Sequence, residues 1–191
     1  MKINIDIYLG IKYSLDSLYK KEIIKEDTII IIPILKYFIS DILKIRDNYK
    51  NKLILVLYQS DIDKIPNDNN IELITIPDMM NEEGIFLMAN DIKEEYDNSY
   101  LFNLEDNKEY ENYYSKVLAK TIDTDFNDIY IPYYYGGLFK GLSKYFKLDC
   151  DSNIILINYR NKKIDNNLDY DSIINYNDEI DDKNSLVISC M

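Results

Sequence analysis

The residues best suited to do chemistry lie in one stretch, Asp128-Ile-Tyr-Ile-Pro-Tyr-Tyr-Tyr-Gly-Gly-Leu-Phe-Lys-Gly-Leu-Ser-Lys-Tyr-Phe-Lys147. A buried-type apolar run, Asp128–Pro132, leads into a Gly-Gly pair. Leu138, Leu142, Tyr145 and Phe146 then repeat at helical spacing. A strand that turns into a helix through glycine aims free backbone N–H groups and the positive helix end at one point. That geometry suits a phosphate. Gly136 and Gly137 allow close backbone approach, and Gly141 lets the helix pack tightly on a neighbour. The plainer reading of the pair is a strand–helix turn that needs positive φ. Tyr133, Tyr134 and Tyr135 precede the glycines. Such aromatic clusters mark a core, a cleft or an interface, since each ring buries a large area and keeps a polar tip.

Other chemistry is excluded or thin. The chain has no His, so Ser-His-Asp, Cys-His and imidazole–metal sites are absent from it. Two cysteines, Cys150 and Cys190, make neither a four-Cys zinc site nor a disulfide framework. Asp61/Asp63, Asp123/Asp125 and Asp149/Asp151 each set two carboxylates two residues apart, but none has the spacing of an EF-hand loop. In a chain with 34 Asp and Glu such pairs arise by chance, and no metal is expected. With 22 Lys and Arg the net charge is −12, and the densest cluster (Asp178, Glu179, Asp181, Asp182) is acidic. Nucleic acid and anionic membrane are therefore not the expected partners.

The elements that must position these residues follow from periodicity. Thr28–Ile32, Leu53–Leu57, Ile71–Ile76, Asp128–Pro132, Ile154–Ile157 and Leu186–Ser189 are continuous apolar runs, with Tyr100–Phe102 a short one. Continuous rather than alternating runs mean strands buried on both faces. Between them, Leu35, Phe38, Ile39, Ile42 and Leu43 space as a helix. So do Ile85, Met88, Ala89, Ile92 and Tyr96, and a third stripe runs over Tyr114, Val117, Leu118 and Thr121. Strands alternating with helices give an α/β fold with mainly parallel sheet flanked by helices. Ser60–Asn70 is rich in turn formers. Lys162–Asp182 is polar, acidic and loop-like. The longest apolar run, Ile29–Leu35, contains Pro33 and is too short to span a bilayer. The amino-terminal residues lack a signal-peptide apolar core, so a cytoplasmic location is expected. The Ile, Asn, Asp, Lys and Tyr bias is that of an AT-rich genome, which discounts Tyr abundance as a functional clue.

The Gly-Gly segment resembles the phosphate loop of the cysteine synthase family, the fold-type II pyridoxal-phosphate enzymes. Their strand is followed by G-T-G-G-T and L-x-G-V/L-S-R/K-Y, and Gly136, Gly137, Gly141, Ser143, Lys144 and Tyr145 match in spacing. Further segments follow in the same order. Lys20–Pro33 is similar to K-R-G-x-L-K-P-G-x-x-x-x-E-P, Lys50–Leu57 to G-Y-K-L-x-x-x-M, and Asn70–Ile76 to G-A-E-L-I-L-V. Gly84–Asp91 resembles E-G-A-x-x-x-A. Leu101–Glu105 with Tyr110–Tyr113 resembles Q-F-x-N-P-x-x-H. Leu186–Cys190 is similar to L-V-G-I-S-S-G. The resemblance implies a reduced fold-type II architecture with two lobes. These are residues 13–105, and residues 1–12 (with a strand Ile3–Leu9) plus 106–191, or else one compact domain. It also implies a cleft that brings Pro33–Tyr37 toward Tyr133–Gly137.

The departures bear on function. The family's S-G-N-T-G substrate loop is replaced by Ile34, Leu35, Lys36 and Tyr37, bulky residues that keep a carboxylate off the amides. The first Gly-Thr of the phosphate loop is Tyr134-Tyr135, and its last Thr is Leu138, so two hydroxyl donors are lost. The resemblance would put the Schiff-base lysine at Lys12 and the pyridine-nitrogen serine at Ser189 or Cys190. Gly136 and Gly137 would hold the cofactor phosphate. At 191 residues the chain is short for such an enzyme. The expected function is that of a catalytically inactive relative with a binding, structural or regulatory role and no cofactor, as a homodimer or with a protein partner. The first alternative is a divergent active enzyme, a pyridoxal-phosphate lyase or β-replacement enzyme using Lys12. The second is an unrelated α/β domain that binds a phosphate or nucleotide.

Overall fold

The computed structural model describes all residues except 36–38, 123–124, 135, 160–163, 165–167, 176, 179, 181–183 and 191. Strands and helices alternate along it. The strands are β1 (Lys2–Ile5), β2 (Ile29–Pro33), β3 (Leu53–Tyr58), β4 (Ile71–Ile76), β5 (Ser99–Leu101), β6 (Asp128–Tyr133), β7 (Asn153–Asn158), β8 (Ser172–Asn175) and β9 (Ser185–Cys190). The helices are α1 (Ile7–Lys20), α2 (Ile39–Asn48), α3 (Glu82–Glu95), α4 (Lys108–Asn112) and α5 (Gly136–Asp149). Among the described residues every strand pairing is parallel. The class is therefore α/β with parallel sheets flanked by helices, as the apolar runs predict.

Two compact units divide the chain. One is Leu15–Asn103, with a sheet of order β4-β3-β2-β5. Its central strands read as unbroken aliphatic runs because both faces are covered: Ile30, Ile31 and Ile32, with Ile54 through Leu57, are inaccessible. α3 packs against β2, β3 and β5. It starts where the Asn81 side chain accepts the Gly84 N–H at 3.2 Å, with Glu82 and Glu83 in its first turn. Its buried face is Gly84, Ile85, Ala89 and Ile92. Asn51 closes the loop before β2. Its amide donates to the Lys25 and Thr28 carbonyls, both at 2.7 Å, and its oxygen accepts from the Tyr19 hydroxyl.

The other unit is Met1–Ser14 with Leu104–Met191, and its sheet has the order β1-β9-β6-β7-β8. The register sets Ile3 against Ile188, Ile129 against both Leu186 and Ile154, and Leu156 against Ile173. α5 packs on β6 and β7 with Leu138, Phe139, Leu142 and Phe146 inaccessible.

Three expectations need correction. The first strand stops at Ile5, because Asp6 accepts the Tyr8 N–H at 2.9 Å and starts α1. The stripe over Tyr114, Val117, Leu118 and Thr121 is not one α-helix face. There the short α4 passes into a widened π turn, Tyr113–Leu118, and a 3-10 turn, Ala119–Thr121. Burial accordingly falls on Tyr110, Tyr113, Tyr114 and Ala119, while Val117 is 41% exposed. Finally, the polar stretch 162–182 contains β8, an edge strand parallel to β7. Ile173 is 44% exposed, so this strand carries little of the apolar signal that marks central ones. Much of the remainder of that stretch lies outside the described residues.

Candidate functional site

The Gly-Gly turn belongs to the unit that contains Leu104–Met191. β6 ends at Tyr133 and α5 begins at Gly136, so the glycine amides do sit at the start of a helix beyond the carboxyl end of a parallel strand. Glycine is not needed there for positive φ, since none of the glycines has it. It is needed because the segment 104–114 runs directly against α5. A Cβ on Gly136 would lie 2.8 Å from both the Glu105 carbonyl oxygen and its Oε2. On Gly137 it would lie 2.7 Å from the Leu104 oxygen and 3.0 Å from Tyr110 Cδ1. On Gly141 it would lie 2.5 Å from the Glu111 oxygen.

The amides of this turn donate within the chain. Gly136 N–H donates to Glu105 Oε2 at 2.7 Å, and Gly137 N–H donates to the Leu104 carbonyl at 3.1 Å. Lys140 lies one turn on and donates to Asp106 Oδ1 at 3.2 Å and to the Glu105 carbonyl at 3.4 Å. Asn107 then caps α4, accepting the Glu109 and Tyr110 N–H groups, both at 3.0 Å. Residues 104–107 thus form a strap across the first turn of α5.

Behind the strap is a tyrosine cluster. Tyr110 and Tyr114 are inaccessible, edge to face at 4.9 Å, and the Tyr114 hydroxyl donates to that of Tyr110 at 3.2 Å. Burial pushes the Tyr114 phenol well above its ordinary pKa, and Tyr113 rises for the same first cause. Gly10 of α1 admits this pair: a Cβ there would meet the Tyr114 hydroxyl at 2.7 Å and the Tyr110 ring at 2.9 Å.

The other residues singled out in the sequence fall as follows. Lys12 lies within α1, half-buried, well past the helix start. Ser189 on β9 pairs in register with Asn4, donates to Asn4 Oδ1, and lies 3.4 Å from the Ile3 carbonyl. Tyr133 is buried, its ring perpendicular to Phe139 at 6.2 Å. Half-buried Tyr134 stacks on Tyr159 at 4.3 Å. In the other unit Ile34 and Leu35 are core residues, 0% and 2% exposed, and Ile34 N–H donates to the Val56 carbonyl at 2.8 Å. Lys36, Tyr37 and Tyr135 lie outside the described residues, as does Asp123 of the acid pairs. Asp61 is buried and paired with Lys64. Among the described residues no three His, Cys, Asp or Glu gather as metal ligands, and no helix is long and apolar enough to cross a membrane.

No protein-family model and no curated protein matches the sequence. Solved structures do match the fold. An O-acetylserine-dependent cystathionine beta-synthase from Helicobacter pylori superposes with TM-score 0.72 at 19% identity, over 88% of this chain and 64% of that one. A hydrogen sulfide-producing enzyme from Fusobacterium nucleatum gives 0.61 at 16% identity, over 81% of this chain and 54% of that one. O-ureido-L-serine synthase gives 0.66 at 13% identity, over 81% and 51%. At such identities the likeness is one of fold. The chain has the parallel α/β fold of cysteine synthase- and cystathionine beta-synthase-type enzymes, in line with the sequence resemblance. It spans between half and two thirds of their length.

The resemblance implies pyridoxal phosphate, and the Gly136–Gly137 turn is where its phosphate would bind. The residues there do not fit that group. One amide already holds a carboxylate, a second holds a carbonyl, and a phosphate dianion beside Glu105 would meet like charge. Glu105 ends a segment that resembles the family, Leu101–Glu105, but the sequence gives it no role, because its partner is 31 residues away and it is one of 34 acids.

Proposed function

We propose that this chain is a non-catalytic relative of the cysteine synthase-type enzymes, one that keeps the scaffold for a binding or structural role and uses no cofactor. The observation that carries the reading is the strap. The donors from which a phosphate loop is made are already satisfied by Leu104 and Glu105. The burial of Ile34 and Leu35, where the family pattern has small polar residues, supports it from the other unit. A net charge of −12 favours a protein partner, a second copy of the chain included, over nucleic acid.

The test is optical. Purified protein incubated with pyridoxal phosphate is expected to give no imine absorbance band at the edge of the visible. A stoichiometric band that is lost in Lys12→Ala overturns the reading and makes the chain a lysine-dependent enzyme.

A further inference from the structure

We infer that Glu105 is the built-in anion of the Gly136–Gly137 turn, standing where an external phosphate would stand and holding an anion site shut. The inference rests on the reading that this scaffold keeps no cofactor. Three observations lead to it.

First, α5 is a helix of 14 residues with no acid in its own first turn. The opening N–H groups of a helix lack partners within it, and aligned peptide dipoles add partial positive charge at that end. Most helices answer this with a local capping side chain. Here the capping carboxylate comes from another segment, with Glu105 Oε2 at 2.7 Å from Gly136 N. Second, the turn is shaped for the strap. Any side chain at Gly136 or Gly137 would collide with Glu105 or Leu104. Third, the strap is fixed on both sides of Glu105. The Leu104 carbonyl takes the Gly137 N–H, Lys140 holds Asp106, and Asn107 caps the next helix. The carboxylate is thus held in place by its neighbours. Deleting it uncovers an amide that an incoming oxyanion can use.

The experiment uses the full chain with inorganic phosphate as the probe, against sodium chloride at equal ionic strength. Thermal unfolding is followed for wild type, Glu105→Ala and Glu105→Gln. Wild type is expected to show only the small, non-saturating rise in Tm that phosphate gives a folded protein by exclusion from its surface. Glu105→Ala is expected to unfold about 2–4 °C lower in chloride and to recover saturably toward wild type in phosphate. Glu105→Gln keeps an oxygen in the turn and is expected to respond to phosphate far less than the alanine variant.

A wild type stabilised by phosphate as much as Glu105→Ala overturns the inference. So does an alanine variant that phosphate does not restore. Should Glu105→Ala fail to fold in chloride, refolding in phosphate supports the inference. Failure there, with Glu105→Gln folded, overturns it. These outcomes are separate from the cofactor test. An imine band in wild type defeats the proposed function, whereas a phosphate response shared by wild type and variant, without that band, defeats only this inference.

Discussion

Two strand-to-helix turns invite comparison, the one after β2 and the one after β6. In cysteine synthase-type sequences both positions carry small and polar residues. After β2 this chain places Ile34 and Leu35, which are buried, and Ile34 N–H continues the sheet pairing to Val56. After β6 it keeps Gly136 and Gly137 and lays a carboxylate and a carbonyl over them. The described start of the first turn, Ile34 and Leu35, lies in a hydrocarbon core. The second is still a row of donors, covered by a strap. Loss of an apolar filler leaves a cavity, whereas loss of a polar cover leaves amides that water or an anion can satisfy. Only the second kind of closure is open to reversal by one substitution.

The comparison breaks first, and by most, at Ile34. Ile34→Ala is expected to cost about 2–5 kcal/mol in chemical denaturation, without creating affinity for pyridoxal phosphate. A loss below about 1 kcal/mol would show that the turn after β2 is not closed by packing. Next in size is Gly141→Ala. Its Cβ would be forced to 2.5 Å from the Glu111 oxygen and 2.8 Å from Tyr114 Cβ. The expected cost is about 1–3 kcal/mol, against the small gain an alanine normally brings to a helix interior. A stabilised Gly141→Ala would mean that segment 104–114 yields easily and the strap is loose.

The smallest effect is at the far end of α5. Lys147 donates to both Asp171 oxygens at 2.7 Å, and Ile154 N–H donates to Asp171 Oδ2 at 2.6 Å. These bonds lower the Asp171 pKa, the Lys147 contact first. A folded pKa below the unfolded one contributes stability above the ordinary carboxylate range, and that stability fades as pH falls through the folded value. Asp171→Asn is therefore expected to lower Tm slightly at neutral pH and to converge with wild type in acid. Both partners are partly exposed, with side chains 40% and 26% accessible, so the effect is about 0–1 kcal/mol. A gap between the two proteins that stays constant with pH would remove the carboxylate charge from the account.

Much of the architecture was legible because its signal is strong. Ile29–Ile32 and Leu53–Leu57 have no polar alternation, and only a strand covered on both faces tolerates that. β8 was not legible, because an edge strand with Ile173 half in solvent need not be hydrophobic. The π turn at Tyr113–Leu118 was not legible either. A stripe at three- and four-residue spacing carries no mark of a widened turn. At the candidate site the glycines stand out in the sequence, but glycine records only that something comes close. Whether that something is a phosphate or the Leu104 carbonyl depends on a contact spanning some thirty residues, to which local pattern is blind.

The pairing of β1 with β9 has a consequence for how the chain reaches this state. Lys2 lies opposite Val187, and the Met1 ammonium donates to the Ser185 carbonyl at 2.6 Å, a sequence separation of 184. During synthesis β1 is made before β9, its neighbour in the sheet, and the other described strands lie between them. The unit Leu15–Asn103 is continuous in sequence and has all four of its strands long before then. The other unit must close a loop of most of the chain to pair β1 with β9, so that pairing is expected to form late and slowly.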